Sequence, residues 1–311
     1  MKIGLAGYLR VHTTGPEGEI TNDSGWFPNL ITDQGLDWFG MGPPNDNIPF
    51  GVPAIATHAA VGIGTTPPAF SDTQLSNFVA MFPATTDGGV VSAARAYVAG
   101  PPAYWSWSKT FNFPQGAVVA NIAEVGVGNT SSTDTQPQLF NHALILDGSG
   151  NPTTIPVIST DSLTITFQLR MYLDLTDNSY AMQINATNYT GTYRRATVNQ
   201  VPSVDFATIS TASCGMILFS GALGSVTSSP SGQLSGGSIP MSSPAYIPGT
   251  YFKNLTATFS PGNGTGTIAA IESDGGLSGS YQFSLSPTLV KASVDTLTIN
   301  WSISWARFTP P

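Results

Sequence analysis

The sequence predicts an all-β protein made of antiparallel β-sandwich modules, with one or two short helices. The clearest evidence is the period-2 pattern of residues 163–173, in which every odd-numbered residue is apolar and most even-numbered residues are polar. Residues 297–305 repeat this alternation. Alternation buries one face of a strand, whereas the strands of a parallel sheet are buried on both faces and read as unbroken apolar runs. Helical patterns are scarce, so an antiparallel sandwich is the predicted class.

Two short segments have the features of helices. In the first, Thr32–Phe39, the threonine hydroxyl can cap a helix of two turns at most. In the second, Ser71–Phe82, the hydroxyl of Ser71 can cap the N–H of Gln74 while the glutamine side chain reaches back. These are the only helices that the sequence predicts.

A Gly-x-Gly stretch, Val61–Gly64, lies between these two segments. A nucleotide-binding fingerprint requires its glycines to open a helix directly, so that the first N–H groups face the phosphate. Here two threonines and two prolines follow at once, and neither proline has an N–H to donate. The sequence therefore predicts a strand that ends in a glycine turn and continues as a proline-containing linker.

The alternating strands belong to an internal repeat. One series of elements occurs twice in the sequence: a strand, a Pro/Gly turn, an Ile/Ala/Glu strand, a loop and an Asp-hydroxyl-Leu-Thr-Ile strand. The first copy consists of Thr110–Gly116, Asn121–Gly126 and Asp161–Phe167. These match Thr256–Gly262, Ala269–Glu272 and Asp295–Trp301 in the second copy. We interpret this as two related β-modules, residues 1–198 with an extended N-terminal segment and residues 199–311. A Ser/Gly/Pro-rich stretch, residues 221–243, is predicted to be an extended surface loop.

Composition excludes several classes of function. Only 9% of residues are charged, against about 25% in an average protein, and the net charge is −8. Without a basic stripe, neither nucleic-acid binding nor a polybasic membrane anchor is expected, and no apolar run is long enough to span a bilayer. The single cysteine excludes an internal disulfide framework and a multi-thiolate zinc site.

Residues suited to catalysis or metal binding are few. Glu124 and Glu272 occupy matching places in the two modules, so we expect each to accept backbone N–H groups in the turn after its strand rather than to share one site. The three histidines are far apart in the sequence and are expected to be ordinary surface or partly buried residues. Residues 174–179 predict a turn with Asx hydrogen bonds rather than a calcium loop. No cofactor or metal is predicted.

The most unusual local feature is an aromatic cluster formed by Tyr104, Trp105 and Trp107. Alternating aromatic residues can form a sugar-stacking platform or a protein interface, and they can equally fill a core. Filling the core is the favoured interpretation. The same three residues are the candidate interface or ligand contacts.

Several segments together resemble structural proteins of tailed-bacteriophage tails. The N-L-I-T-x-x-G-L-D stretch near the start of those proteins is similar to residues 29–37, and their V-G-x-G-T-x-x-P…D-T-x-L segment is similar to residues 61–68 and 72–75. Further similar segments follow in the same order, at residues 111–113, 124–128, 139–145 and 161–167. The resemblance covers about residues 25–175; it departs at Asn141–His142, where the family often has Ser-Arg, and residues 200–311 have no counterpart in it.

The resemblance implies a non-enzymatic virion component of the tail, baseplate or fibre, made in the host cytoplasm and without catalytic residues to carry over. A receptor- or carbohydrate-binding module at the tail tip, a head decoration protein and a polysaccharide-degrading enzyme are the alternatives. The expected partners are other copies of the chain, in a trimer or ring, other tail proteins, and a host surface glycan or receptor in the alternative. Low charge and exposed sheet edges favour such self-association.

Overall fold

The computed structural model describes residues 1–41, 56–84, 94–130, 135–184, 186–202, 214–275 and 279–309. Most of these residues are in strands, as the sequence predicts, and α1 (Asp33–Met41) is the one described α-helix. The strands are β1 (Lys2–Thr14), β2 (Ile20–Ile31), β3 (His58–Gly62), β4 (Phe78–Pro83), β5 (Ala94–Val98), β6 (Tyr104–Phe113), β7 (Ala120–Ile122), β8 (Glu124–Asn129), β9 (Gln138–Leu144), β10 (Ile155–Val157), β11 (Ser162–Tyr172), β12 (Asn178–Ile184), β13 (Thr187–Ala196), β14 (Cys214–Phe219), β15 (Gln233–Pro240), β16 (Phe252–Phe259), β17 (Gly266–Gly275), β18 (Ser280–Lys291) and β19 (Leu297–Arg307).

The strands form two sets with the same order of pairing. In the first set the order is β4-β3-β8-β9-β2-β1, and in the second it is β15-β14-β17-β18-β13-β12. All ten pairings within these two series are antiparallel. Each strand of the first series therefore has a counterpart in the second, in the same order along the chain.

The two long alternating strands also have equivalent partners. β11 pairs antiparallel with β6, with Leu163 opposite Phe113. β19 pairs antiparallel with β16, with Leu297 opposite Phe259. These are the residues that the internal repeat aligns, so the two halves share a register as well as an order.

The sets differ in how these strands join the rest of the sheet. β1 pairs with β11 over eleven residue pairs. Its counterpart β12 pairs with β13 and with no other described strand. β19 instead pairs in parallel with the start of β1, between Lys2–Leu5 and Ser304–Arg307. Strand pairing thus begins the second set at Asn178, ahead of the division predicted between residues 198 and 199, and one continuous apolar core includes residues from both sets.

The first predicted helix is confirmed, and its threonine is the cap. The N–H of Gly35 donates to the Thr32 hydroxyl at 2.9 Å, and the N–H of Leu36 donates to the Thr32 carbonyl at 3.0 Å. The Thr32 hydroxyl also lies 2.9 Å from the Leu139 carbonyl of β9, to which it can donate. The cap therefore attaches the helix to the sheet as well as starting it.

The second predicted helix, Ser71–Phe82, is wrong. Residues 71–77 form turns and loop, and residues 78–83 are β4. Long-range hydrogen bonds from Asp72, Ser76 and Asn77 to β8 and β9 hold this loop in a non-helical conformation. The glycine stretch before it does end a strand as predicted, at Gly62.

The stretch at residues 221–243, predicted to be a surface loop, contains a strand. β15 pairs antiparallel with β14 through Met216 and Ile239, with a register shift between Ile217 and Phe219. Backbone pairing needs no apolar side chains, so a Ser/Gly-rich segment can add to a sheet edge without any alternating pattern in its sequence.

Candidate functional site

The most highly connected polar group in the first set is the buried carboxylate of Glu124. Its Oε1 accepts the backbone N–H groups of Asn77 at 2.7 Å and Gly64 at 3.1 Å. Its Oε2 accepts the N–H of Ser76 at 3.1 Å, the Ser76 hydroxyl at 3.0 Å and the Nε2–H of His142 at 3.0 Å. The side chain of Glu124 is fully buried. A buried carboxylate is stable only when its oxygens are satisfied in this way.

His142 joins this carboxylate to a second one. Its Nδ1 lies 2.7 Å from Oδ2 of Asp72, on the opposite side of the ring from Glu124. Burial lowers the pKa of His142, but hydrogen bonds to Glu124 and Asp72 outweigh it and leave that pKa above its ordinary value. Burial likewise raises the pKa of Glu124, and the bonds from His142, Asn77 and Ser76 reverse this and lower it to about 2. We call Asp72, Ser76, Glu124 and His142 the Glu124 network.

The geometry of the Glu124 network favours a structural role over catalysis. A general base needs an unprotonated nitrogen, but both ring nitrogens of His142 face carboxylates and are therefore donors in the charged ring. The hydroxyl of Ser76 donates to Glu124 rather than to the imidazole, so His142 does not activate Ser76 as a nucleophile. The network therefore holds its charged side chains and the backbone of the bonded loop in one arrangement.

Sequence reasoning was partly right about the two glutamates. Glu124 does accept backbone N–H groups, although from the loop that joins β3 to β4 rather than from a turn after its own strand. Glu272 lies in β17, in the other set, and its Oε2 has no hydrogen-bond partner among the described residues. Burial raises the pKa of Glu272, in contrast to Glu124. Glu272 and Glu124 therefore differ in the direction of their pKa shifts.

The segments that resemble tail proteins meet around the Glu124 network. The Thr32 hydroxyl donates to the Leu139 carbonyl, and the Leu139 N–H donates to the Thr73 carbonyl at 3.0 Å. The N–H of Asp33 donates to the Phe70 carbonyl at 2.8 Å. Four separate stretches of the resemblance thus form one hydrogen-bonded cluster. The other two stretches, residues 111–113 and 161–167, lie in the paired strands β6 and β11.

The aromatic cluster is divided between the core and the surface. Trp105 and Trp107 are 1% and 0% exposed, and their rings meet edge to face with centroids 6.5 Å apart. Their Nε1–H groups donate to the carbonyls of Val198 at 2.6 Å and Pro202 at 3.3 Å. The two tryptophans therefore fill the core and fix the chain after β13. Of the three candidate contacts, only Tyr104 is partly exposed.

Tyr104 belongs to a group of aromatic and cationic side chains on the outer face of β1, β6 and β11. The guanidinium carbon of Arg170 lies 3.9 Å from the ring centre of Tyr8 and 4.8 Å from that of Tyr104. The rings of Tyr104 and Tyr172 have centroids 5.5 Å apart. Burial and hydrogen bonding to Tyr8 raise the pKa of Tyr172 to about 12. Tyr8, Tyr104, Arg170 and Tyr172 form what we call the tyrosine–arginine face.

Sequence reasoning missed most of the tyrosine–arginine face, although the signal was present. Arg170 and Tyr172 occupy even-numbered places in the alternating strand, whose odd-numbered residues are buried, although Tyr172 at the end of the strand is buried as well. Their direction was therefore predictable. The positions of Tyr8 and Tyr104 beside Arg170 and Tyr172 were not predictable, because they depend on the pairing of β1 and β6 with β11.

A groove of about 240 Å³ adjoins this face. It is lined by the rings of Tyr8, Phe70 and Phe308, by Asn29 and by Arg307. The guanidinium carbon of Arg307 lies 4.0 Å from the ring centre of Phe70, and Phe70 is itself exposed. Aromatic faces beside polar groups suit a flat ligand such as a sugar ring.

The remaining predicted polar features have mixed outcomes. His142 is buried inside the Glu124 network and so is not the ordinary histidine that was expected. The turn at residues 174–179 is confirmed, because Asp174 Oδ1 accepts the N–H of Thr176 at 2.9 Å. Within the ranges that the structure describes, no cluster of three or more His, Cys, Asp and Glu side chains is placed to hold a metal ion.

No family model matches the chain, and searches of curated proteins and of solved structures find no match either. No helix in the described ranges has both the length and the apolar character needed to cross a bilayer.

Proposed function

We propose that this chain is a non-enzymatic structural protein of a tailed-bacteriophage virion, a subunit of the tail, baseplate or fibre assembly. The observation that carries the proposal is the convergence of the tail-like segments on the Glu124 network. A resemblance made of short, separate pieces gains weight when the pieces are in contact with one another, because they then describe one unit of structure.

The chemistry of the network suits a protein that must keep one shape. Its charged groups bond to backbone N–H groups and to each other, which fixes the loop between β3 and β4 against β8 and β9. Buried, fully satisfied polar networks make a structure rigid and specific. Rigidity of this kind is useful to an assembly subunit.

The tyrosine–arginine face is the surface that we assign to contact with a neighbouring virion protein. Tyrosine and arginine dominate the energetics of protein interfaces, because they combine a large apolar area with hydrogen-bonding groups. Arg170 is already positioned between two tyrosine rings and needs little ordering on binding.

The test of the proposed function is the presence of the chain in purified particles of the phage that encodes it. We expect peptides of the chain to remain at a constant ratio to the major tail protein after nuclease treatment and a high-salt wash, when measured by quantitative mass spectrometry. Particles that lack the chain, while infected-cell lysates contain it, would show that it is not a virion component.

A receptor- or carbohydrate-binding role is the second candidate, and the groove beside the tyrosine–arginine face favours it. If the groove binds host glycans, then Phe70→Ala should abolish binding to host polysaccharide in calorimetry. Phe252→Ala is the matched control, because this phenylalanine is also exposed and lies away from the groove. Equal binding by the two variants would remove the groove from consideration.

A further inference from the structure

The outer edge of β12 has no partner among the described strands. β12 pairs with β13 on one side only. In the first set, its counterpart β1 pairs with β2 on one side and with β11 on the other. An unpaired edge presents a row of backbone N–H and C=O groups to which another strand can add.

β12 also lacks the devices that protect the other described sheet edges. β4 ends in Pro83, β15 ends in Pro240, and both adjoin a register shift. β5 has only five residues and carries Arg95, and β16 carries Lys253. β12 has seven residues, none of them charged and none proline, and its ladder with β13 runs without a shift. By these criteria β12 is the described edge most open to strand addition.

Apolar surface accompanies this edge. The inward-facing Tyr180 and Met182 of β12 border a cleft of about 300 Å³, together with Ile299 and Trp301 of β19. All four side chains are only half-buried. The counterparts of Ile299 and Trp301 in β11 are fully buried, where β1 pairs with that strand. The second set therefore leaves apolar surface partly exposed beside β12, whereas β1 and β11 bury the equivalent surface in the first set.

We propose that the β12 edges of two copies of this chain pair antiparallel about a two-fold axis and so join their six-stranded sheets. The proposal rests on the proposed function, because it names the surface by which subunits associate. With the axis at Ala181, Tyr180 lies opposite Met182 of the second copy on the inner face, and Ser179 lies opposite its Gln183 on the outer face. Apolar residues thus face apolar ones and polar residues face polar ones.

Charge is the reason to assign this edge to a second copy. Like charges directly opposite each other destabilise a strand pair, and a charged residue on the two-fold axis would face its own copy. β12 has no charged residue, so self-pairing carries no such cost. The contact is isologous and yields a pair, in contrast to the trimer or ring expected by analogy; a larger assembly would then be built from pairs.

A cysteine placed on the axis tests the register directly. Ala181 is exposed, and in the proposed pair its Cβ lies about 5 Å from that of its mate, which is close enough for a disulfide after a small adjustment. We expect Ala181→Cys to give a covalent dimer on a non-reducing gel after mild oxidation at micromolar concentration. Ser179→Cys is the matched control, because it shares the strand and the exposed face but lies four residues, roughly 13 Å, from its own copy.

A lysine at the same position provides a measurement that does not depend on oxidation. In Ala181→Lys, the two introduced ammonium groups would face each other across the axis. This variant should therefore weaken self-association at least about tenfold by light scattering, with Ser179→Lys changing it by less than about threefold. Far-ultraviolet circular dichroism that matches wild type shows that each variant is folded.

Two results would overturn the proposal, and they are distinguishable from failure of the proposed function. Self-association with no Ala181→Cys cross-link, and with Ala181→Lys behaving like wild type, would place the contact on another surface. A monomer at every concentration would remove the contact altogether. The presence of the chain in virions is measured by a separate experiment, so neither result bears on whether the chain is a virion protein.

Discussion

At the scale of single residues, Glu124 and His142 determine how the first set is held together. The carboxylate accepts hydrogen bonds from the imidazole, from a serine hydroxyl and from three backbone N–H groups. A buried ionised group is stable only when hydrogen bonds and opposite charges offset the free energy of removing it from water. Removing one member of the network therefore leaves the remaining charged groups buried without that compensation. Glu272 has hydrogen bonds to the side chains of Ser229 and Ser280 but one oxygen without a described partner, which makes it a useful control.

Glu124→Gln should lower the free energy of unfolding by about 3–5 kcal/mol, the range found when one member of a buried ion pair is removed. The amide would bring an NH₂ group toward donors and leave the His142 cation with one carboxylate fewer. Glu272→Gln should change the same quantity by less than about 1 kcal/mol, because its pKa is already raised by burial and a neutral side chain suits the site. Urea denaturation of both variants measures the difference. Equal losses would contradict the assigned role of the network.

The pH dependence of stability should carry the signature of His142. Because its pKa is raised in the fold, its stabilisation is complete below the ordinary value of 6.5 and is lost as pH rises through the folded pKa. The pKa of Glu124 is lowered from 4.5 to about 2, so its contribution is complete above pH 4.5 and is lost as pH falls toward 2. The difference in unfolding free energy between wild type and His142→Gln should therefore be largest between pH 4.5 and 6.5. A difference that keeps growing toward pH 9 would rule out this coupling.

The sequence predicts residue-scale features only where they depend on local pattern. Trp105 and Trp107 were favoured for the core, and both are buried there. The Glu124 network was not predictable, because its hydrogen-bonded partners are 18 to 70 residues apart in the sequence and no spacing rule connects them. A histidine between two carboxylates has no sequence signature unless the strands that bring them together are known.

At the scale of elements, the two predicted helices show that a local capping signal and long-range hydrogen bonds can either agree or conflict. Thr32 has both, since its hydroxyl caps α1 and also bonds to β9, so the local signal and the tertiary contact agree. In residues 71–77 they disagree. There, Asp72, Ser76 and Asn77 use their polar groups on His142 and Glu124, and the helical signal is overridden.

Thr32→Val should destabilise the protein by about 1–2 kcal/mol, because it removes the cap of α1 and the hydroxyl that bonds to the Leu139 carbonyl. Thr32→Ser keeps the hydroxyl and should recover most of that loss. Thermal unfolding followed by circular dichroism compares the two. If serine proved as costly as valine, the methyl group rather than the hydroxyl would account for the stability.

At the scale of the whole molecule, two sets of strands share one order and one register, and they differ where β12 stands apart from β19. The repeat was predictable, because matching alternation at Leu163 and Leu297 implies matching faces. The start of the second set at Asn178 was not predictable, because alternation shows which face of a strand is buried but not which strand it pairs with. The same limit concealed the parallel pairing of β19 with β1.

We propose that the chain is a structural subunit of a phage tail, and a density map of the purified particle is the decisive experiment. We expect density in the tail, baseplate or fibre that fits both strand sets, in several symmetry-related copies, with the Glu124 network inside each subunit and the tyrosine–arginine face against a neighbouring protein. A map in which other proteins explain every tail density, with no place for this chain, would show that it is not a tail subunit.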